Sequence, residues 1–173
     1  MRTAVCSGSF DPITLGHLDL IARTAACFDR VWVCVSPNAD KRSQMFTPEQ
    51  KLTLVRAAVE DLPNVSAELW PGLLADYAAA REAKVIVRGI RNATDLDAEY
   101  QMALINRGLR PDLETLFLPA SPPYQHFSSS MAREMIRYRQ PLEPYLPGAV
   151  IPLVRDMIRE EKENVLWPTK SIV

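Results

Sequence analysis

The strongest constraint on the fold of this chain is a repeat: five short apolar runs, each followed by an amphipathic stretch. Val31 to Val35, VWVCV, is the most telling run. It is almost wholly apolar and largely β-branched, the pattern of a central parallel strand covered on both faces. Thr3 to Cys6 comes before it and ends in Ser7-Gly8-Ser9, after which Leu18, Ile21, Ala22 and Ala25 recur at helical spacing. Thr47, Pro48 and Gln50 then read as N-cap, first helical residue and capping-box partner of a helix whose buried face is Leu52, Val55, Val59 and Leu62. Val65 to Leu69 alternates apolar and polar residues, as an edge strand does. Leu73 to Glu82 is an alanine-rich helix, and Lys84 to Val87 is a fourth strand running into Arg88-Gly89-Ile90-Arg91. A helix over 95–106 comes next, with Thr94 as N-cap and Gly108 as stop. Thr115 to Leu118 is the fifth strand, Ser128-Ser129-Ser130 opens a helix reaching Tyr138, and Gly148 to Glu163 is the last helix.

Strands alternating with helices predict an α/β, Rossmann-like fold: one five-stranded parallel sheet with helices on both faces, joined by right-handed crossovers. A length of 173 residues fits a single domain, expected to span residues 1–164 with a tail at 165–173. Ligands of such sheets bind outside the carboxyl ends of the strands, where strand order reverses. That rule singles out residues 8–17, 36–42, 88–99 and 119–130.

Composition removes several function classes. Twenty basic residues stand against twenty-one acidic, so neither a broadly basic nucleic-acid surface nor an acidic tail is present, and an anion site must come from a local cluster. No apolar run reaches the roughly 18 residues of a membrane span. The opening MRTAVCSGSFDP lacks an export-type apolar stretch, and Cys6, Cys27 and Cys34 form no CxxC pair, so reduced thiols and a cytoplasmic location are expected. His17 and His126 are too few and too far apart to suggest zinc. GxGxxG, GxxxxGK[ST] and GxSxG are all missing, which argues against nicotinamide dehydrogenases, P-loop enzymes and serine hydrolases.

Strand one runs instead into Gly8-Ser9-Phe10-Asp11-Pro12-Ile13-Thr14-Leu15-Gly16-His17. A histidine in the first turn of a helix can add a donor where free N–H groups already favour an anion, or it can simply cap and pack. Arg88 and Arg91 flank a glycine at a strand end, where guanidinium forks suit phosphate, although paired surface arginines are common. Lys41-Arg42 is either a loop cation site or a solvated pair, and Ser128-Ser129-Ser130 is either an anion-binding helix start or a plain cap. Glu99, taken alone, reads as a solvent-facing helix residue.

Taken together, GSFDPITLGH, the Lys41 loop, RGIRNATDLDAEYQMALINRGL and YQHFSSSMAREM resemble the TxGH form of the HxGH nucleotidyltransferases, and among them the phosphopantetheine adenylyltransferase family. That resemblance covers roughly residues 1–160 and implies transfer of AMP from ATP to phosphopantetheine, giving dephospho-coenzyme A and pyrophosphate. It implies His17 as transition-state stabiliser, acting with Lys41 on the transferring group. Ser9 would contact both substrates, and Lys41, Leu74 and Arg88 would line the phosphopantetheine site. Phe10, Gly89, Ile90, Arg91, Glu99, Tyr124, Gln125, His126, Phe127, Ser128, Ser129 and Ser130 would surround ATP. Mg²⁺ would arrive with ATP, coenzyme A could act as inhibitor, and the assembly would be a homohexamer. A CTP-using or nicotinamide-mononucleotide-using transferase, or a nucleotide-binding module without turnover, are the rival readings. For the assembly, the residues of helix 95–106 leave two readings open: an apolar face on each of two sides, or one wide core face.

Overall fold

The structure is a computed structural model and describes residues 1–37 and 44–164. Five strands form one parallel sheet in the order β3-β2-β1-β4-β5, where β1 is Thr3–Gly8, β2 Arg30–Val35, β3 Val65–Leu69, β4 Val85–Ile90 and β5 Glu114–Pro119. Helices α1 (Leu15–Cys27), α2 (Pro48–Ala58), α3 (Leu74–Ala80) and α4 (Ala93–Leu109) connect successive strands. A short 3₁₀ turn at Pro122–Tyr124 then leads to α5 (Ser129–Arg137) and α6 (Val150–Asn164). The expected architecture stands, with β3 at an edge and β2 interior.

Each face of the sheet has its own core. Ala4, Cys6, Val31, Val33 and Val87 pack on one side with Ile21 of α1, Leu54 and Val55 of α2, and Val150, Ile151 and Val154 of α6. Val5, Cys34 and Ile86 point the other way, onto Ala75, Tyr77 and Ala78 of α3. Burial pushes the thiols of Cys6 and Cys34 up to about 11, so both are inert, whereas Cys27 is exposed.

Thr47, Pro48 and Gln50 start α2 as expected: the Gln50 N–H donates to Thr47 Oγ1 and the Thr47 N–H donates to Gln50 Oε1. The buried face of α2 differs in part. Val55 and Val59 are buried with Leu54 and Lys51, while Leu52 and Leu62 are only half-buried. At α4 the cap is Asn92, not Thr94, because Asn92 Oδ1 accepts from the Asp95 N–H. Gly108 lies inside α4, which closes only at Arg110, where the cap N–H donates to Asn106 O. β4 runs on through Arg88, Gly89 and Ile90, paired with Phe117, Leu118 and Pro119 of β5, so these three residues belong to the strand rather than to a loop.

Candidate active site

Strand order reverses at β1, whose neighbours β2 and β4 are reached by crossovers in opposite directions. Beyond its carboxyl end the chain turns sharply. Phe10 sits at φ 45°, a left-handed conformation unusual for a bulky residue and frequent at functional turns. Its ring folds back over Gly8, where an added Cβ would lie 3.0 Å from the ring, so a side chain there would require the ring to give way by a few tenths of an ångström. The Phe10 side chain is therefore core, 3% exposed, and it meets the His17 ring edge-on at 5.2 Å.

His17 is the N3 residue of α1 and closes a capping box with Thr14. The Thr14 N–H donates to His17 Nδ1 at 3.1 Å, and the His17 N–H donates to Thr14 Oγ1 at 3.4 Å. Burial, reinforced by Arg91 and Arg88, pulls the imidazole down to about 4. The ring is thus neutral at pH 7. With Nδ1 accepting from the backbone, its proton sits on Nε2. The capping reading of His17 holds, and the ring nitrogen that does not cap carries a neutral donor.

A cavity of about 440 Å³ surrounds this turn, lined among others by Ser9, His17, Arg88, Gly89, Arg91, Glu99, Tyr124, Phe127, Ser128, Ser129 and Ser130. A second cavity of about 260 Å³ adjoins it, and Leu74, Ile86, Met102, Ala103 and Asn106 give it a largely apolar wall. Both cavities share Ser7, Gly8, Ser9, Arg88 and Glu99. The residues singled out from sequence therefore converge. Of those assigned to ATP, four do not line the first cavity: Phe10 and Ile90, and the exposed Gln125 and His126. Lys41 and Arg42 lie outside the described residues, as does the tail from 165.

The arginines of the site are fixed by carboxylates. Arg88 grips Glu99 with two parallel contacts, its Nε donating to Oε2 at 2.6 Å, and also donates to the Ser7 carbonyl and hydroxyl. Glu99 consequently faces the sheet edge rather than solvent. Arg91 forks onto Asp95, with Nε donating at 2.8 Å, and reaches the Phe127 carbonyl at 3.2 Å. Ser128 is the cap proper, accepting from the Met131 N–H, whereas Ser129 donates to Pro12 O.

Sequence reading missed Asp11 and Arg133, which line the cavity, and Lys51 behind them. Asp11 is buried and accepts from the N–H groups of Met45 and Phe46 at 3.0 and 2.9 Å. Arg133 Nη1 donates to Asp11 O at 2.8 Å, and its Nη2 donates to Ser130 Oγ at 3.1 Å. The one available signal was the helical phase of Lys51 with Leu54 and Val55, which puts a lysine on a core-facing stripe.

Among the described residues no group of His, Cys, Asp and Glu side chains could hold a metal, and each carboxylate of the cavity is already gripped by an arginine. What the described residues offer is positioning. Fixed donors and cations surround a space at a helix start, beside a narrower, greasier pocket.

Comparison with known proteins agrees with this geometry. A family model described as cytidylyltransferase-like matches residues 5–135. A phosphopantetheine adenylyltransferase of Corynebacterium diphtheriae is 41% identical over 159 residues, covering 92% of this chain and 99% of the relative. Relatives of the same name from Symbiobacterium thermophilum and Caldanaerobacter subterraneus are 43% and 40% identical, over 93% and 87% of this chain and 96% and 93% of theirs. A solved structure assigned as a nicotinate-nucleotide adenylyltransferase from Vibrio parahaemolyticus shares the fold, with TM-score 0.67 and 19% identity over 90% of this chain and 93% of that one. At that identity the structure speaks to the fold alone, whereas the three relatives span nearly their full lengths. The chain belongs to the phosphopantetheine adenylyltransferase family.

Proposed function

We propose that the chain transfers AMP from ATP to the 4′-phosphate of phosphopantetheine, in the direct in-line manner that needs no covalent enzyme intermediate. A phosphate oxygen of the acceptor forms a bond to the α-phosphorus of ATP. The bond from that phosphorus to the β-phosphate oxygen breaks, giving dephospho-coenzyme A and pyrophosphate. The observation that carries this reading is the meeting of two cavities, one polar and wide, one narrow and largely apolar, at Ser9 and Arg88. ATP suits the first, and the pantetheine arm suits the second.

A phosphate monoester is mostly dianionic at neutral pH, its second pKa being about 6. The nucleophile then needs no general base. The barrier lies in bringing two polyanions together and stabilising charge around the α-phosphorus, which positioning and preorganised donors supply. The neutral His17 Nε2–H is the donor for that phosphoryl group, with Lys41 as its partner cation. Ser9, Leu74 and Arg88 hold the acceptor. Gly89, Arg91, Glu99, Tyr124 and the stretch Phe127 to Ser130 line the space for ATP, which would bring Mg²⁺ with it, since the carboxylates of the cavity are engaged by arginines and offer the ion no cage.

Coenzyme A, sharing the adenylyl and pantetheine parts of the product, would inhibit from the same cavities. Leu96, Tyr100, Met102, Leu104, Ile105 and Leu109 of α4, all at least 42% exposed, supply an apolar surface for assembly into a homohexamer. No helix among the described residues is long and apolar enough to cross a membrane, and a cytoplasmic location is proposed with the rest.

A substrate panel tests the reading: ATP, GTP and CTP, each with phosphopantetheine or nicotinamide mononucleotide. Turnover confined to ATP with phosphopantetheine is expected. Comparable turnover with CTP, or with nicotinamide mononucleotide, would refute it.

A further inference from the structure

The wide cavity is read as holding a polyphosphate, yet its described lining carries no excess positive charge. It contains four arginines, Arg23, Arg88, Arg91 and Arg133, and four carboxylates, Asp19, Glu99, Asp95 and Asp11. Each arginine lies within 3.4 Å of its carboxylate. His17 is neutral. Lys41, assigned above to the transferring group, lies outside the described residues; among these, the charge that breaks this balance sits one layer deeper.

Lys51 is wholly buried on α2. Its Nζ lies 3.8 Å from Asp11 Oδ1 and donates to Gln44 Oε1 at 2.9 Å. Asp11, 5% exposed at its side chain, therefore stands between two cations, with Lys51 behind it and Arg133 on the cavity side at 3.4 Å. One carboxylate cannot neutralise both. A lysine is rarely buried unless it is paired, because drying an ammonium is costly, and Asp11 is that partner here.

We propose that Lys51 sets the electrostatic balance of the nucleotide cavity: by compensating Asp11 from behind, it leaves Arg133 as net positive charge toward a bound polyphosphate. Lys51 touches no substrate and acts through Asp11 and Arg133, so it is a positioning and charge-balancing residue rather than a catalytic one. The inference rests on the nucleotide reading of the cavity.

Binding of three probes to the full-length chain tests it: ATP, inorganic pyrophosphate and adenosine. Adenosine uses the base and ribose contacts without the phosphate charge. Lys51→Met should weaken pyrophosphate and ATP roughly fivefold to tenfold, the scale of one charge acting through a medium of effective dielectric about 20. Adenosine affinity should stay within about twofold, because a structural defect would move it and a charge effect would not. Lys51→Arg should restore polyphosphate binding. Asp11→Asn changes the charge in the opposite direction and should tighten pyrophosphate, which keeps the test decisive even if Lys51→Met fails to fold. Weakened pyrophosphate binding in Asp11→Asn, equal loss of adenosine and pyrophosphate in Lys51→Met, or wild-type pyrophosphate affinity in Lys51→Met would each overturn the proposal. A wild-type chain that bound neither ATP nor pyrophosphate would refute the nucleotide reading itself, and the proposal with it.

Discussion

Replacing His17 by alanine separates the two jobs of this side chain. The cap is lost first: the Thr14 N–H no longer finds Nδ1, a defect worth about 1 kcal/mol at a helix start. The Nε2–H donor is lost as well. If that donor strengthens its contact as charge shifts at the α-phosphorus, its removal should lower turnover about 10²- to 10³-fold, or more, by analogy with deleting an oxyanion donor. Affinity for ATP should change little, since the other groups of the cavity still hold the ground state. The sign of the pH effect follows from the imidazole, which drops from 6.5 to about 4 in the fold. The unfolded chain takes up this proton first, so the wild type is stabilised above pH 6.5 and loses that stability as pH falls toward 4. His17 keeps some solvent contact, so the loss should be about 1–3 kcal/mol. Denaturant unfolding at pH 7 and pH 4.5 should show a wild-type advantage that shrinks or vanishes at the lower pH. Turnover is assayed by pyrophosphate release under saturating substrates. His17→Asn, which keeps a neutral donor, should recover part of the rate. An alanine variant that folds and turns over at nearly the wild-type rate would refute the catalytic role and leave only the cap.

Arg88→Ala should raise the apparent KM for phosphopantetheine by an amount equivalent to about 1.5–3 kcal/mol, the worth of a charge-assisted contact, and unchanged acceptor kinetics would remove Arg88 from that pocket. The same variant should melt earlier than Arg88→Ala paired with Glu99→Gln, because alone it leaves a part-buried carboxylate without its partner. ATP should be preferred strongly over GTP in steady-state comparison, since a wrong base leaves buried polar groups unpaired; similar kcat/KM values would contradict this. Ile105→Glu, on the exposed apolar side of α4, should shift light-scattering mass toward smaller species, and an unchanged mass would exclude that face from the assembly.

Local signals were legible in the sequence, and non-local pairings were not. The Thr47–Gln50 box is a contact three residues long, so its chemistry can be read from spacing. At the start of α4 the sequence reading put the cap at Thr94, two positions past the true one at Asn92. The choice is made by Asp95, whose N–H takes the Asn92 cap and whose carboxylate takes the Arg91 fork. His17 was legible as a helix-start residue, but its tautomer depends on the Thr14 N–H, which only the turn geometry brings to Nδ1. Glu99 could not be assigned to Arg88 without the strand register that sets Arg88 opposite Phe117. The Asp11–Arg133 contact joins segments 122 residues apart, a distance at which no periodicity carries information. Lys51 hid for the opposite reason: a lysine in a helix is ordinarily assigned to solvent, and only its phase with Leu54 and Val55 points inward.

The central claim is that the adenylyl group passes directly from ATP to the acceptor phosphate, with positioned groups and no enzyme nucleophile. The stereochemical course at phosphorus tests it most directly. ATP made chiral at the α-phosphorus is turned over with phosphopantetheine, and the configuration of the dephospho-coenzyme A is determined. A single in-line displacement predicts inversion. Retention would require two displacements through a covalent intermediate and would contradict the account, as would failure to form the product.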